Sequence, residues 1–410
     1  MRILFVSAYF PPDTGSAATL FYEMGGYLAK KGHSVSVLTS FPSYHVTGKV
    51  NHYEGKGFTR EDIDGMAVFR VRVPQFPRHI PAMRALWQFS MSYCFSRTAD
   101  KLDKQDICLV YSPPLPLGLT GSVLKRKKTC AFVLNVQDLF PQSAVDLRLL
   151  KNKMLVRFFE YLERRIYGSA NHITVHSHGN KAHVNRTGVD PQKITVIPNW
   201  IDTDFIRPGP KANPFSKRYG LAEKFVVCFA GVLGYSQDID VILNAAAMLK
   251  NEKEKVFLIV GGGVEKGRLT KKANDMRLDN VLFLPMQPRD IYPHILASSD
   301  VCLSTLNKDV LSPVVPSKIL SIMAAGKPLV ACMNLNGDAP AMIQQAECGY
   351  VFAAGDSGSL ANAVQKLYEE PNLRRRYGAN GRNYCVANFS LDVCADKYVG
   401  LFQNLTHSKR

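Results

Sequence analysis

VVPSKILSIMAAGKPLVACM, residues Val314–Met333, hands a short helix straight over to a buried strand. Pro316 stands where a helix start tolerates a missing N–H, and Gly326 stands where a left-handed C-terminal residue is wanted. The spacing therefore predicts a helix of about two turns. Its first amides lack partners within the helix, and the Lys318 ammonium stands beside them. That combination suits an anion, a phosphate first of all, and makes Pro316, Ser317, Lys318 and the following Ser321 candidate binding residues.

The same strand-and-helix alternation runs outward in both directions. RILFVSAYF, SVSVLTS, AVFRVRV, ICLVYS, CAFVLNV and ITVHS recur before residue 200, and FVVCFAG, VFLIVGG, NVLFLP, VCLST and PLVACM after it. Strands interleaved with helical patterns predict an α/β chain with parallel sheets covered on both faces. The turn-rich ITVIPNWIDTDFIRPGPKANP is the expected boundary between an N-terminal domain, 1–200, and a C-terminal domain, 201–388. FSLDVCADKYVGLFQNL, Phe389–Leu405, reads as an amphipathic helix within a last segment, 389–410, expected to cross back onto the first domain. Ligands of open parallel sheets bind beyond the strands' carboxyl ends, so two such sheets predict a cleft lined by the loops that follow strands.

Composition narrows the partners. The 410 residues are 46% hydrophobic and 21% charged, an ordinary globular balance. Nine scattered cysteines without a C-x-x-C pair fit core positions of a cytoplasmic protein. The first apolar run ends at Pro11–Pro12, too soon for a signal peptide, and no window reaches the ~18 apolar residues of a membrane span. Residues 1–200 hold 26 Lys+Arg against 14 Asp+Glu, so most of the +17 net charge belongs to the first half. Nucleic acid, anionic lipid or a phosphorylated substrate would each answer it, and nucleic acid is disfavoured because no aromatic-interleaved basic motif accompanies the charge.

Several loops carry candidate chemistry. YFPPDTGSAATL keeps Gly15, Ser16 and Ala17 small where a helix from about Ala18 to Lys30 begins, which lets backbone approach a ligand. It matches neither G-x-x-x-x-G-K-[ST] nor G-x-G-x-x-G. Asp138 follows a strand in VLNVQDLFPQSAV and is placed either to orient a hydroxyl as a base or to cap a turn before Pro141. FAGVLGYSQDID presents Gly231, Gly234 and Gln237 for phosphate oxygens. VGGGVEKGRL adds Gly261, Gly262 and Gly263 with Lys266 and Arg268 in reach. Three such loops after strands of one sheet point to a nucleotide diphosphate. His172, His176 and His178 in NHITVHSHGN read as one strand face, but positions roughly 6.6 Å apart without acidic or Cys partners do not favour a metal. IPAMRALWQFSMSYCFS and NKMLVRFFEYLERRIYGSANH, with LKRKK at Leu124–Lys128, suit either core helices with a solvated face or helices lying on an anionic membrane.

Over nearly its whole length the chain resembles the family 4 glycosyltransferases of the GT-B fold. The resemblance is carried by ILFVSAYFPPDTGSAATL, NVQDLFPQSAV, KITVIPNWIDTDFIRP, FAGVLGYSQDID, VPSKILSIMAAGKPLVA and CGYVFAAGDSGSLANAV. It is nearest the bacterial branch of surface polysaccharide assembly that includes fucosamine (L-N-acetylfucosamine) transferases. The resemblance implies two Rossmann-like domains, a nucleotide diphosphate-sugar donor, UDP-linked first of all, in the second domain, and a lipid-linked or oligosaccharide acceptor in the first. It also implies retention of anomeric configuration, no cofactor and no required metal, no nucleic-acid partner, and a cytoplasmic place on the inner face of the plasma membrane. Lys318 and Asp138 are carried over as catalytic candidates. Gly231, Gly234, Gln237, Gly263, Lys266, Pro316, Ser317, Lys318 and Ser321 are the donor candidates, and Gly15, Ser16 and Asp138 the acceptor candidates. Two glutamates eight positions apart in many members are Pro313 and Ser321 here, and an Arg and a Lys are Val232 and Gln237. Those four replacements leave open a catalytically silent partner or glycan-binding subunit; a sugar-nucleotide epimerase on the same architecture is less favoured, because no acid/base pair for proton abstraction from the sugar is evident.

Overall fold

Strands buried along their full length set the architecture, as parallel sheets covered by helices require. The computed structural model describes residues 1–13, 15–43, 53, 55–77, 80–146, 149–310 and 315–407. Pro313 lies outside the described residues. The chain divides into two compact units, Met1–Asn199 with Leu391–Arg410, and Trp200–Ser390.

The first unit runs β1 (Arg2–Val6), α1 (Ser16–Lys30), β2 (Ser34–Ser40), β3 (Phe58–Ile63), β4 (Met66–Val71), α2 (Pro81–Arg97), β5 (Ile107–Ser112) and α3 (Leu117–Lys128). It continues with β6 (Ala131–Val136), α4 (Gln142–Asp146), α5 (Lys153–Ser169), β7 (His172–Val175), α6 (His178–Arg186) and β8 (Ile194–Val196). The sheet order is β3-β4-β2-β1-β5-β6-β7-β8. All its pairings are parallel except β3 with β4. β5 and β6 are buried at every residue, whereas the edge strand β3, FTREDI, is partly exposed throughout. α1 begins at Ser16, earlier than the apolar pattern suggested, because Gly15 adopts φ 139° and its carbonyl takes the Thr19 amide at 3.0 Å.

The second unit runs α7 (Pro214–Arg218), β9 (Phe225–Ala230), α8 (Asp240–Met248), β10 (Lys255–Val260), α9 (Lys266–Asp275), β11 (Val281–Leu284) and α10 (Tyr292–Ser298). After these come β12 (Val301–Thr305), α11 (Ser317–Ala324), β13 (Leu329–Met333), α12 (Asp338–Gln345), β14 (Gly349–Ala353), α13 (Ser357–Glu369) and α14 (Pro371–Phe389). Its parallel sheet is ordered β11-β10-β9-β12-β13-β14, with apolar cores on both faces. Chain order reverses between β9 and β12, and the crevice beyond their carboxyl ends is where such sheets take ligands.

The last amphipathic segment is not one helix from Phe389. Ser390 is extended (φ −65°, ψ 153°), so Phe389 closes α14 and a separate helix, α15 (Leu391–His407), follows. α15 packs on α1 in the first unit, where Tyr27 Oη donates to Asp396 at 3.0 Å. Its Tyr398, 2% exposed, takes a 2.7 Å hydrogen bond from Asn135 of β6. Among the described residues no helix is long and apolar enough to cross a membrane.

Candidate functional site

Because β10, β9 and β12 are neighbours, the loops that follow β9 and β10 and the helix α11 that follows β12 gather at one edge of the second sheet. The first two loops are laced by backbone. The Leu233 amide donates to the Gly262 carbonyl at 2.8 Å, and the Glu265 amide to the Leu233 carbonyl at 3.0 Å. Side chains would obstruct this. A Cβ at Gly261 would stand 2.0 Å from the Gly231 carbonyl oxygen, and one at Gly263, whose φ is +150°, would stand 2.3 Å from that of Leu233. Loop-to-loop contact thus explains Gly261 and Gly263, whereas a Cβ at Gly262 would meet nothing within 4 Å.

α11 opens as its sequence suggests, with one shift. Pro316 is the N-cap, extended at φ −59° and ψ 127°, and Ser317 is the first helical residue. Gly326 is left-handed at φ +66° and ends the segment. The Ser317 and Lys318 amides precede the helical hydrogen-bond ladder and face forward from its positive end. Lys318 Nζ donates to Gln237 Oε1 at 2.6 Å and lies 3.8 Å from the centroid of the Phe229 ring. Gly231 leaves room for it, since a Cβ there would meet Nζ at 3.3 Å. These groups border a cavity of about 590 Å³ whose wall includes Gly231, Val232, Gln237, Pro316, Ser317, Lys318 and Ser321.

Burial lowers the Lys318 ammonium from the ordinary 10.5 to about 7. Its hydrogen-bond partner is a neutral amide, so no carboxylate offsets the desolvation. The sign of the linkage follows. Because the folded pKa is depressed, the empty protein gains stability from this group as pH rises from about 7 towards 10.5, where only the unfolded chain still holds the proton. A diphosphate seated against Nζ favours the charged form and raises that pKa again. Calorimetric titration of UDP at pH 8, in buffers of different ionisation enthalpy, is expected to show uptake of up to about one proton, vanishing at pH 6. Uptake independent of pH, or none at pH 8, contradicts this assignment.

Not every candidate joins the cavity. Gly234, Gly263 and Lys266 are absent from its lining, and Lys266 opens α9. Arg268 is held by Asp240 at 2.7 Å and Glu265 at 2.6 Å, so its role is to brace α9 against α8. Conversely Met286, Gln287, Arg289 and Tyr292 line the cavity and were not singled out from sequence. The first three lie between β11 and α10 and Tyr292 opens α10, and the signal that would have found them is their place after a strand, NVLFLP, of the same sheet.

In the first unit, Gly15 and Ser16 follow β1, and Asp138 follows β6, one strand beyond the intervening β5. Both loops sit at the sheet's carboxyl edge. Asp138 is exposed, and the preceding Gln137 is fixed by two amide hydrogen bonds with Asn199, at 2.9 and 2.7 Å. The three histidines do not share a strand face. Only His172 belongs to β7, its Nε2 2.8 Å from Thr195 Oγ1, while His176 is bonded to Asn180 and His178 opens α6. β7 is four residues long, too short to carry all three.

Residues 17–205 match the model of Glycosyltransferase Family 4, and residues 213–384 match that of Glycosyl transferases group 1. The chain is 28% identical over 329 residues to "Probable glycosyltransferase WbjE" of Pseudomonas aeruginosa, covering 78% of this chain and 80% of that one. It is 25% identical over 315 residues to the UDP-Gal:alpha-D-GlcNAc-diphosphoundecaprenol alpha-1,3-galactosyltransferase of Escherichia coli, covering 75% and 78%. The crystal structure of Anabaena Alr3699/HepE in complex with UDP superposes with a TM-score of 0.73 at 18% identity, covering 98% of this chain and 100% of that one. The fold is GT-B.

Proposed function

We infer that this chain, a nucleotide-sugar-dependent glycosyltransferase with a Family 4 domain followed by a group 1 domain, moves an amino-deoxy sugar such as N-acetylfucosamine from a UDP donor. The acceptor is a lipid-linked or growing glycan in the assembly of O-antigen, capsule or exopolysaccharide, at the inner face of the plasma membrane. The single observation that carries the reading is Lys318 Nζ beside the opening of α11, fixed by Gln237 and Phe229 on the wall of a cavity large enough for a nucleotide. The diphosphoundecaprenol acceptor named for one relative supports the lipid-linked part.

The chemistry asked of these groups is electrostatic. As the bond from the anomeric carbon to the diphosphate oxygen breaks, negative charge grows on the departing diphosphate. The Ser317 and Lys318 amides and the Lys318 ammonium are placed to receive it. Gln237 holds Nζ towards the cavity without neutralising it. The sugar passes to an acceptor hydroxyl with its configuration retained, the hydroxyl proton leaving to a departing diphosphate oxygen, and Gly15, Ser16 and Asp138 of the first unit are the groups assigned to that acceptor. This arrangement gives the leaving group protein partners, so transfer is expected to proceed in the presence of EDTA.

The thermal midpoint measured against UDP, GDP, ADP, TDP and CMP tests the donor assignment. A ligand at about 100 times its dissociation constant adds about 2.7 kcal/mol, or roughly 5–10 °C for a unit the size of Trp200–Ser390. A selective shift with UDP is expected. A selective shift with another nucleotide replaces the donor, and no shift with any of them overturns the donor site.

A further inference from the structure

Nine of the seventeen large, exposed apolar side chains among the described residues fall between Ile80 and Tyr161 of the first unit. Seven of the nine lie on two helices. On α5, Met154, Phe158 and Tyr161 recur at i, i+4 and i+7, with Met154 80% exposed, and Leu155 flanks them. On α2, Met83, Leu86 and Tyr93 recur at i, i+3 and i+10, with Tyr93 63% exposed. These are outward stripes. The opposite face of α5, with Phe159, Leu162 and Ile166, is the one that enters the core.

The two stripes are neighbours. α2 and α5 both pack on α3, and the Phe89 and Phe158 rings approach to 6.3 Å between centroids. Each stripe carries a tyrosine hydroxyl bonded to the arginine one turn further on, Tyr93 with Arg97 and Tyr161 with Arg165, both at 3.2 Å. Cations border the apolar residues. Lys151, Lys153 and Arg157 line a groove of about 660 Å³ beside the start of α5, with Glu160 its single carboxylate. Arg164 is exposed further along the same helix.

We propose that the α2–α5 face docks onto an anionic phospholipid bilayer, with the two apolar stripes entering the acyl boundary and the surrounding lysines and arginines engaging lipid phosphates. An apolar stripe flanked by cations and tyrosines matches an interface with hydrocarbon below and negative charge above. Charge complementarity selects this occupant over a second copy, because a symmetric pairing would set the same lysines and arginines against each other. The chain's direction gives the docking a use. α5 links the parallel strands β6 and β7, so it runs back from the sheet's carboxyl edge, and its cationic start lies at the edge where Asp138 stands. A lipid-borne acceptor would therefore reach that edge from the bilayer itself. This use rests on the lipid-linked reading above, whereas the docking does not.

Flotation of the full chain with phosphatidylglycerol/phosphatidylcholine vesicles, against phosphatidylcholine alone, tests the proposal in the absence of any sugar donor. The chain is expected to float with the anionic vesicles at low salt and to be released as salt rises. Phe158→Asp and, separately, a triple Lys151→Glu/Lys153→Glu/Arg157→Glu variant are each expected to lower the bound fraction by roughly tenfold or more. Both variants must keep the wild-type thermal midpoint and its shift with nucleotide, which separates lost docking from lost folding and from failure of the donor reading. Equal flotation with neutral vesicles, no flotation at low salt, or flotation untouched by both variants overturns the proposal. So does a concentration-dependent dimer that Phe158→Asp disperses, which would assign the face to a second copy.

Discussion

Lys318→Met is expected to lower kcat by roughly 10²–10³ while leaving the thermal midpoint unchanged or slightly raised. The substitution keeps an unbranched side chain of similar length against the Phe229 ring, 3.8 Å from the present Nζ, and removes the charge together with its hydrogen bond to Gln237. In the empty protein that charge is a burden. Burial depresses its pKa to about 7, and Nζ donates to a neutral acceptor, the Gln237 amide oxygen. Its removal therefore relieves desolvation in the folded state and withdraws stabilisation from the departing diphosphate. Opposite signs on stability and turnover would mark Lys318 as a binding and catalytic group. A fall in midpoint that accounts for the whole loss of activity would show instead that the lysine serves packing.

Gly261→Ala is expected to be among the most damaging single methyl additions at the second unit's ligand edge. The added carbon would stand 2.0 Å from the Gly231 carbonyl oxygen, which is backbone and has no rotamer to escape into. Hydrogen bonds hold both sides, from the Gly261 amide to the Leu284 carbonyl at 3.0 Å and from the Gly231 amide to the Val260 carbonyl at 2.9 Å. Forced overpacking of this kind costs about 1–3 kcal/mol or more, a loss of roughly 2–12 °C in midpoint. The nucleotide-dependent shift should fall as well, because Gly231 also makes room for Lys318 Nζ. Gly262→Ala is the control, since its added carbon would meet nothing within 4 Å. Equal effects of the two substitutions, read by thermal unfolding with and without UDP, would contradict the lacing of the two loops.

The fold was legible because its signal is repeated. ICLVYS and CAFVLNV are buried at every position in β5 and β6, and a run that is apolar on both faces has few other uses. Cys108, Cys130, Cys228, Cys302 and Cys332, read as core residues, are free and buried. The antiparallel edge strand β3 escaped because FTREDI pairs with a neighbour on one side only and needs no apolar face. Parts of the candidate site were legible where backbone geometry constrains residue type, as at Pro316 and Gly326. Arg289 and Tyr292 were not, because an arginine and a tyrosine after a strand look the same whether they face solvent or a cavity. Gly263 and Lys266 were named for their place after β10, whose last residue, Val260, lines the cavity while they do not. The histidines misled for a related reason: alternation implies one face only while a strand lasts, and β7 ends at Val175.

The hydrogen bond between Asn135 and Tyr398 spans 263 residues of sequence. During synthesis at about 5–20 residues per second, Asn135 leaves the ribosome roughly 10–50 s before its partner exists. Throughout that interval the β6 side of the first sheet and the surface of α1 that receives α15 are uncovered, while the entire second unit is being made. The first unit is therefore begun first and finished last. A nascent chain stalled before Leu391 should present this uncovered seam to chaperones and proteases, and its closure would report that α15 has been made.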